Sequence, residues 1–178
     1  MALLLRRMAR ASKLEAAFYE EVEADPGAMS QAVLVVLLYS VAAAIGGASA
    51  GGKGLILGLI GGLIGWFLWA FVTWVVGTKL LPEAQTQADM GQLLRTIGFS
   101  CAPGLLQVFG FIPVLGPLVI LVSSFWMLAA MVVAVRQALD FKSTGRALAV
   151  CLIGFLLFVA VRFVLGLLAR GAGAALTA

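Results

Sequence analysis

Histidine is absent from this chain of 178 residues, and Asp, Glu, Lys and Arg together make up only 11% of it. The first absence removes the commonest metal ligand and the one side chain that titrates unperturbed near neutral pH. The second lies far below the ~25% charged residues of ordinary globular domains. Whole runs of ~20 residues carry no charge at all, which a fold needing polar helix faces in water does not tolerate. Acidic residues are also missing from every apolar run, since Glu15, Glu20, Glu21, Glu23, Asp25, Glu83, Asp89 and Asp140 all lie outside them. That argues against paired intramembrane carboxylates and against a proton- or sodium-coupled carrier. There are only two cysteines, and Cys101 and Cys151 both sit in apolar surroundings as small hydrophobes. No strand precedes the glycines between residues 51 and 65 and no phosphate-binding lysine follows them, so neither a P-loop nor a dinucleotide fingerprint is present. No catalytic, cofactor-binding or metal-binding residue is expected, and an enzyme is not.

What is present is 63% hydrophobic and organises itself as an all-α polytopic membrane protein. Against a hydrocarbon core of ~30 Å, apolar runs predict five transmembrane helices at Gln31–Gly47, Leu55–Leu81, Leu93–Ile112, Pro117–Leu139 and Ala147–Ala169. This divides the chain into a segment 1–30, a membrane domain 31–170 and a tail 171–178. With the N-terminus cytoplasmic, Arg6, Arg7, Arg10, Lys13, Lys79, Arg95, Arg136, Lys142 and Arg146 collect inside, and only Lys53 and Arg170 outside. That positive-inside bias puts the C-terminus outside. The net charge of +4 is accounted for by topology and anionic lipid, without nucleic acid. Three leucines ahead of Arg6 and Arg7 reverse the order of a secretory signal, so no cleavage is expected. Within residues 1–25, Leu4, Met8, Ala11, Leu14, Phe18 and Val22 recur at helical spacing, which predicts an amphipathic helix lying on the cytoplasmic leaflet and ended by Pro26.

The second span places Gly54, Gly58, Gly62 and Gly65 along one stripe, the pattern by which membrane helices approach closely, within one bundle or between copies. Asp89 and Gln92 have the spacing of a capping pair for a helix starting near Met90. Pro103 predicts a kink in the third span, and Pro113, Gly116 and Pro117 predict an uncharged turn at the outer face. Asp140 is spaced to pair with Arg136 one turn earlier. Arg162 is the one charge deep in a span, ~22 Å up from its start, close enough to the outer face to snorkel. Ser100, Gln107, Ser123 and Arg162 are candidates to line a lipid- or solute-facing path beside the kinked helix, with a phospholipid as ligand of Arg162.

The stretch Gly98-Phe99-Ser100-Cys101-Ala102-Pro103 resembles the Gly-Tyr-x-x-x-Pro signature of the YIP family, the Ypt/Rab-GTPase-interacting membrane proteins, with Phe99 in the tyrosine position. The sequence that follows, Gly104 to Leu139, resembles the family's third and fourth spans, including a Trp ahead of a basic end. The resemblance implies five spans, no enzymatic activity, and a membrane-organising or trafficking-like role with the bilayer, a membrane-protein partner or a second copy. Asp25-Pro26 alone stands where eukaryotic members carry Asp-Leu-Tyr-Gly-Pro, which leaves small-GTPase binding through residues 1–30 without its motif. A short N-terminus and an Arg-over-Lys, Ala/Gly/Leu-rich composition suggest a bacterial relative in the plasma membrane. The alternative from another class is a scramblase- or channel-like protein using the kinked third helix.

Overall fold

The structure, a computed structural model, describes residues 1–47 and 52–176, without the side chains of 52–54, 162 and 165–176. Among the described residues every regular element is helical: α1 (Ala2–Ser12), α2 (Ala16–Ala24), α3 (Met29–Gly46), α4 (Gly52–Val75), α5 (Met90–Ser100), α6 (Leu115–Ala138) and α7 (Thr144–Leu176). A 3₁₀ turn, Pro26–Ala28, leads into α3, a π-helical turn, Val76–Leu80, ends α4, and a 3₁₀ segment, Ala102–Phe111, follows α5. Among the described residues, four stretches are long and apolar enough to cross a membrane: Pro26–Gly46, Leu55–Leu80, Leu115–Ala138 and Thr144–Val161.

The third expected span is not one kinked α-helix. Asp89 and Gln92 form the expected capping box, with the Asp89 N–H donating to Gln92 Oε1 at 2.6 Å and the Gln92 N–H to Asp89 Oδ1 at 2.8 Å. The α-helix so begun stops at Ser100, and Pro103 sits at the start of the 3₁₀ segment. Proline lacks the N–H that would continue the α-helical ladder, so the chain tightens instead of bending. The narrow segment packs most extensively on α3 and then on α6. Gly46, Gly110 and Gly116 bring these backbones into direct contact: a Cβ on Gly46 would strike the Gln107 carbonyl, one on Gly116 the Gly110 carbonyl, and one on Gly110 would lie 3.0 Å from the Gly46 carbonyl. The turn beyond is made by Val114 at φ 69°, whose neighbours close a Leu115 N–H to Pro113 carbonyl bond of 2.8 Å. That is a γ-turn of the strained kind, held by a β-branched residue.

The N-terminal segment also differs from expectation. It is a hairpin of two helices, broken where Leu14 takes φ 62°. The Leu14 N–H bonds the Ala11 carbonyl and the Glu15 N–H the Arg10 carbonyl, the two bonds of a Schellman cap with leucine in glycine's usual place. Of the residues expected on one face, Leu4, Met8, Ala11, Phe18 and Val22 are buried together, but against Ala32, Val35, Phe99, Ala102 and Ala134 of the bundle, while Leu14 is only partly buried at the break. Periodicity identified the face, and protein occupies the side assigned to lipid.

At the end of α6, Arg136 does not pair with Asp140. Asp140 adopts φ 53° and closes a second Schellman cap, through its own N–H to Gln137 and the Phe141 N–H to Arg136. The helix has ended before the one-turn spacing can act. Arg136 instead donates to the carbonyls of Phe141 (3.2 Å) and Lys142 (3.3 Å) and to Thr144 Oγ1 (3.2 Å), stapling the loop between α6 and α7.

Candidate functional site

One end of the bundle gathers the hairpin, the loop 81–89 and the loop 139–143. Glu83 ties these loops together, accepting from the Lys142 N–H at 3.2 Å and pairing with Arg146 at 3.2 Å. Those donors, the Lys142 N–H first, hold its carboxyl below the usual range. Gln85 donates to the Asp140 carbonyl at 2.9 Å, and Trp74 anchors the loop by donating to the Ala88 carbonyl at 2.9 Å. Between them lies a polar cavity of about 590 Å³ lined by Glu20, Gln85, Arg136, Gln137, Asp140 and Phe141. We refer to this as the charged end.

The hairpin is fixed here by polar bonds from α5 and α6. Arg95, almost fully buried, donates to the carbonyls of Val22 (2.9 Å) and Glu23, satisfying the end of α2 as a cation near a helix C-terminus should. Gln92 donates to Glu23 Oε1 at 3.1 Å and Gln137 to Glu20 Oε1 at 2.6 Å, while farther along α6 from this end the Trp126 indole donates to the Ser12 carbonyl at 2.7 Å. Burial, with Asp140 and Glu20 nearby, pushes the Glu23 carboxyl up to about 7. Arg7 holds Asp25 below its usual range through a 3.0 Å ion pair.

The signature residues form the platform beneath the hairpin. Phe99 is fully buried and meets Phe18 edge to face, with centroids 5.2 Å apart. Gly98 lets α3 approach, since a Cβ there would lie 2.8 Å from that of Ala32. Pro103 lies in the first turn of the 3₁₀ segment.

The residues expected to line a path are distributed differently. Ser100 and Ser123 are buried and bond back to their own chains, at the Ile97 carbonyl (2.7 Å) and the Ile120 carbonyl (3.1 Å). Gln107, also buried, donates to Ser124 Oγ at 3.3 Å, joining the 3₁₀ segment to α6. The Arg162 side chain lies outside the described residues. Two apolar cavities lie elsewhere, of about 310 and 270 Å³, sharing Trp69, Met131 and Phe158. Of the glycine stripe, Gly62 packs on Ser40, whereas Gly58 and Gly65 would present a Cβ to open space; Gly54 falls outside the side-chain description. The sequence pattern missed Arg95 and Gln137, whose significance lies in what the hairpin brings to them. Their one signal is polarity close to the end of an apolar run.

A family model described as Yip1 domain matches residues 14–164, most of the chain. No curated protein and no solved structure matches it.

Proposed function

The chain belongs to the Yip1 domain family, and from that premise we propose a five-pass protein that organises the membrane or a membrane-protein partner from its charged end, without catalysis. The fifth pass is the composite of α5 and the 3₁₀ segment. At ~1.5 Å per α-helical and ~2.0 Å per 3₁₀ residue the two supply roughly 36 Å, enough for a ~30 Å core. Lys and Arg gathered at the hairpin and at the loops around Glu83 and Lys142, against few on the opposite side, support a cytoplasmic charged end, and five passes then put the C-terminus outside. A bacterial plasma membrane suits the composition.

The observation that carries this reading is the polarity of the surface. Polar loops, hairpin and the 590 Å³ cavity share one end, whereas Phe111, Val114 and Leu115 in the described turn at the other end are exposed and apolar. An adaptor acting from one side of a membrane needs that asymmetry; a path through the bilayer needs polar groups along its length. The purified protein in liposomes is expected to give neither lipid scrambling nor solute flux above protein-free vesicles. A photo-crosslinker at Gln85 is expected to capture a defined membrane protein, or a second copy, that the same probe at Val114 does not. Flux that Gln107→Leu abolishes would overturn the proposal.

A further inference from the structure

The charges of the hairpin are unequally used. Arg7 is buried and bonded to Asp25 Oδ2 (3.0 Å) and Gln31 Oε1 (3.3 Å), and Arg10 pairs with Glu15 (2.8 Å) and Glu21. Arg6 and Lys13 are exposed, and neither has an acidic partner among the described residues. At 100° per residue they share the side of α1 opposite Leu4, Met8 and Ala11, together with Ala2 and Ala9, and the exposed Leu3 and Leu5 border them. No acidic residue occurs in 1–14 and no basic residue in 14–30. Glu20 and Glu21 are exposed on α2. The hairpin is therefore basic and apolar-edged on its α1 side and acidic on its α2 side.

Its position adds a second constraint. Trp126, whose indole holds the Ser12 carbonyl, stands twelve residues before Ala138, ~18 Å along α6. The end of α1 therefore lies well below the charged end, beside the span. The elements on which α1 leans, the 3₁₀ segment and α6, themselves expose Leu106, Phe109, Phe125 and Leu128.

We propose that the outward face of α1 docks on anionic phospholipid of the leaflet at the charged end. Lys13, at the deeper end of α1, snorkels up and Arg6 reaches down to the same band of lipid phosphates, with Leu3 and Leu5 bordering Arg6 at the headgroup level. The acidic α2 side stays toward water, so the hairpin is a lipid-binding wedge confined to one leaflet. This rests on the membrane-spanning reading above.

The test uses the full chain in vesicles of mixed phosphatidylglycerol and phosphatidylcholine, with a fluorophore on Leu5→Cys or Glu20→Cys; native Cys101 and Cys151 are buried. The Leu5→Cys label is expected to be shielded from aqueous iodide and quenched by nitroxide lipid, more strongly on phosphatidylglycerol. Arg6→Glu with Lys13→Glu lowers that preference by about fivefold per charge. The Glu20→Cys label is quenched by iodide. Equal iodide quenching at both positions overturns the proposal, as does a Leu5→Cys label shielded from iodide and lipid alike, which would mean that a second copy or another protein covers the face. An impermeant maleimide on Lys142→Cys in cells reports orientation separately. Labelling from outside would refute the cytoplasmic assignment and leave the leaflet contact standing.

Discussion

The two ends of the bundle are held together by different means. At the charged end Phe18, Tyr19, Val22, Leu93, Ile97 and Phe99 are fully buried, and Arg95, Gln92 and Gln137 bond the hairpin in place. At the opposite end Phe109, Phe111, Val114, Leu115 and Leu118 stay exposed, while Gly46, Gly110 and Gly116 press backbone on backbone. Where water is the alternative environment, burying a large side chain stabilises the fold. Where hydrocarbon is the alternative it gains little, and close helix approach does more. The difference teaches that one chain has solved two packing problems, each set by its solvent.

The largest expected effect comes from hollowing the charged end. Phe18→Ala removes the ring that meets Phe99 and should cost about 3–5 kcal/mol, read by denaturant titration in mild detergent. Arg95→Met leaves the Val22 and Glu23 carbonyls without their donor. A loss of about 2–3 kcal/mol is expected, with faster proteolysis within residues 1–25 while α3 to α7 remain protected. At the other end Gly46→Ala forces backbones apart and should cost about 1–3 kcal/mol, with the hairpin still resistant to protease. If that substitution instead frees the hairpin, the two ends are not independent.

Smaller effects sharpen the contrast. The Glu23 carboxyl lies near 7 in the folded protein against an ordinary 4.5. Between those values the folded state holds a proton that the unfolded chain has released, so this group's contribution favours folding at the lower pH and is lost as pH rises toward 7. Glu23→Gln should flatten the thermal stability profile over that window. An unchanged slope would assign the dependence to other groups. Gly58→Ala and Gly61→Ala, with open space at the Cβ position, should change stability by no more than about 0.5 kcal/mol. A larger loss would show that α4 has a partner on that face.

Much of this was legible from the residues, and the failures share a cause. The capping box was readable because Asp89 and Gln92 carry their own geometry. The buried face of the hairpin was readable because helical period marks one side, yet the period says nothing about what covers that side. Leu14 and Asp140 end helices in the left-handed region, where neither residue is the usual signal. Asp140 thereby removed the expected pairing with Arg136. Pro103 announced an interruption but not its form, because the 3₁₀ segment is stabilised by close approach to Gly46, distant in sequence, and to Gly116 across the turn that follows. For Ser100, Gln107 and Ser123 polarity drew attention, while their partners are local carbonyls and Ser124.

The central claim is that residues 4–22 form part of the bundle and not a free arm on the membrane surface. Amide hydrogen exchange on the full chain in nanodiscs tests it most directly. Amides of α2 should exchange about as slowly as those of α5, and Phe18→Ala should release them selectively. Exchange of residues 4–22 within seconds, while α5 stays protected, would contradict it.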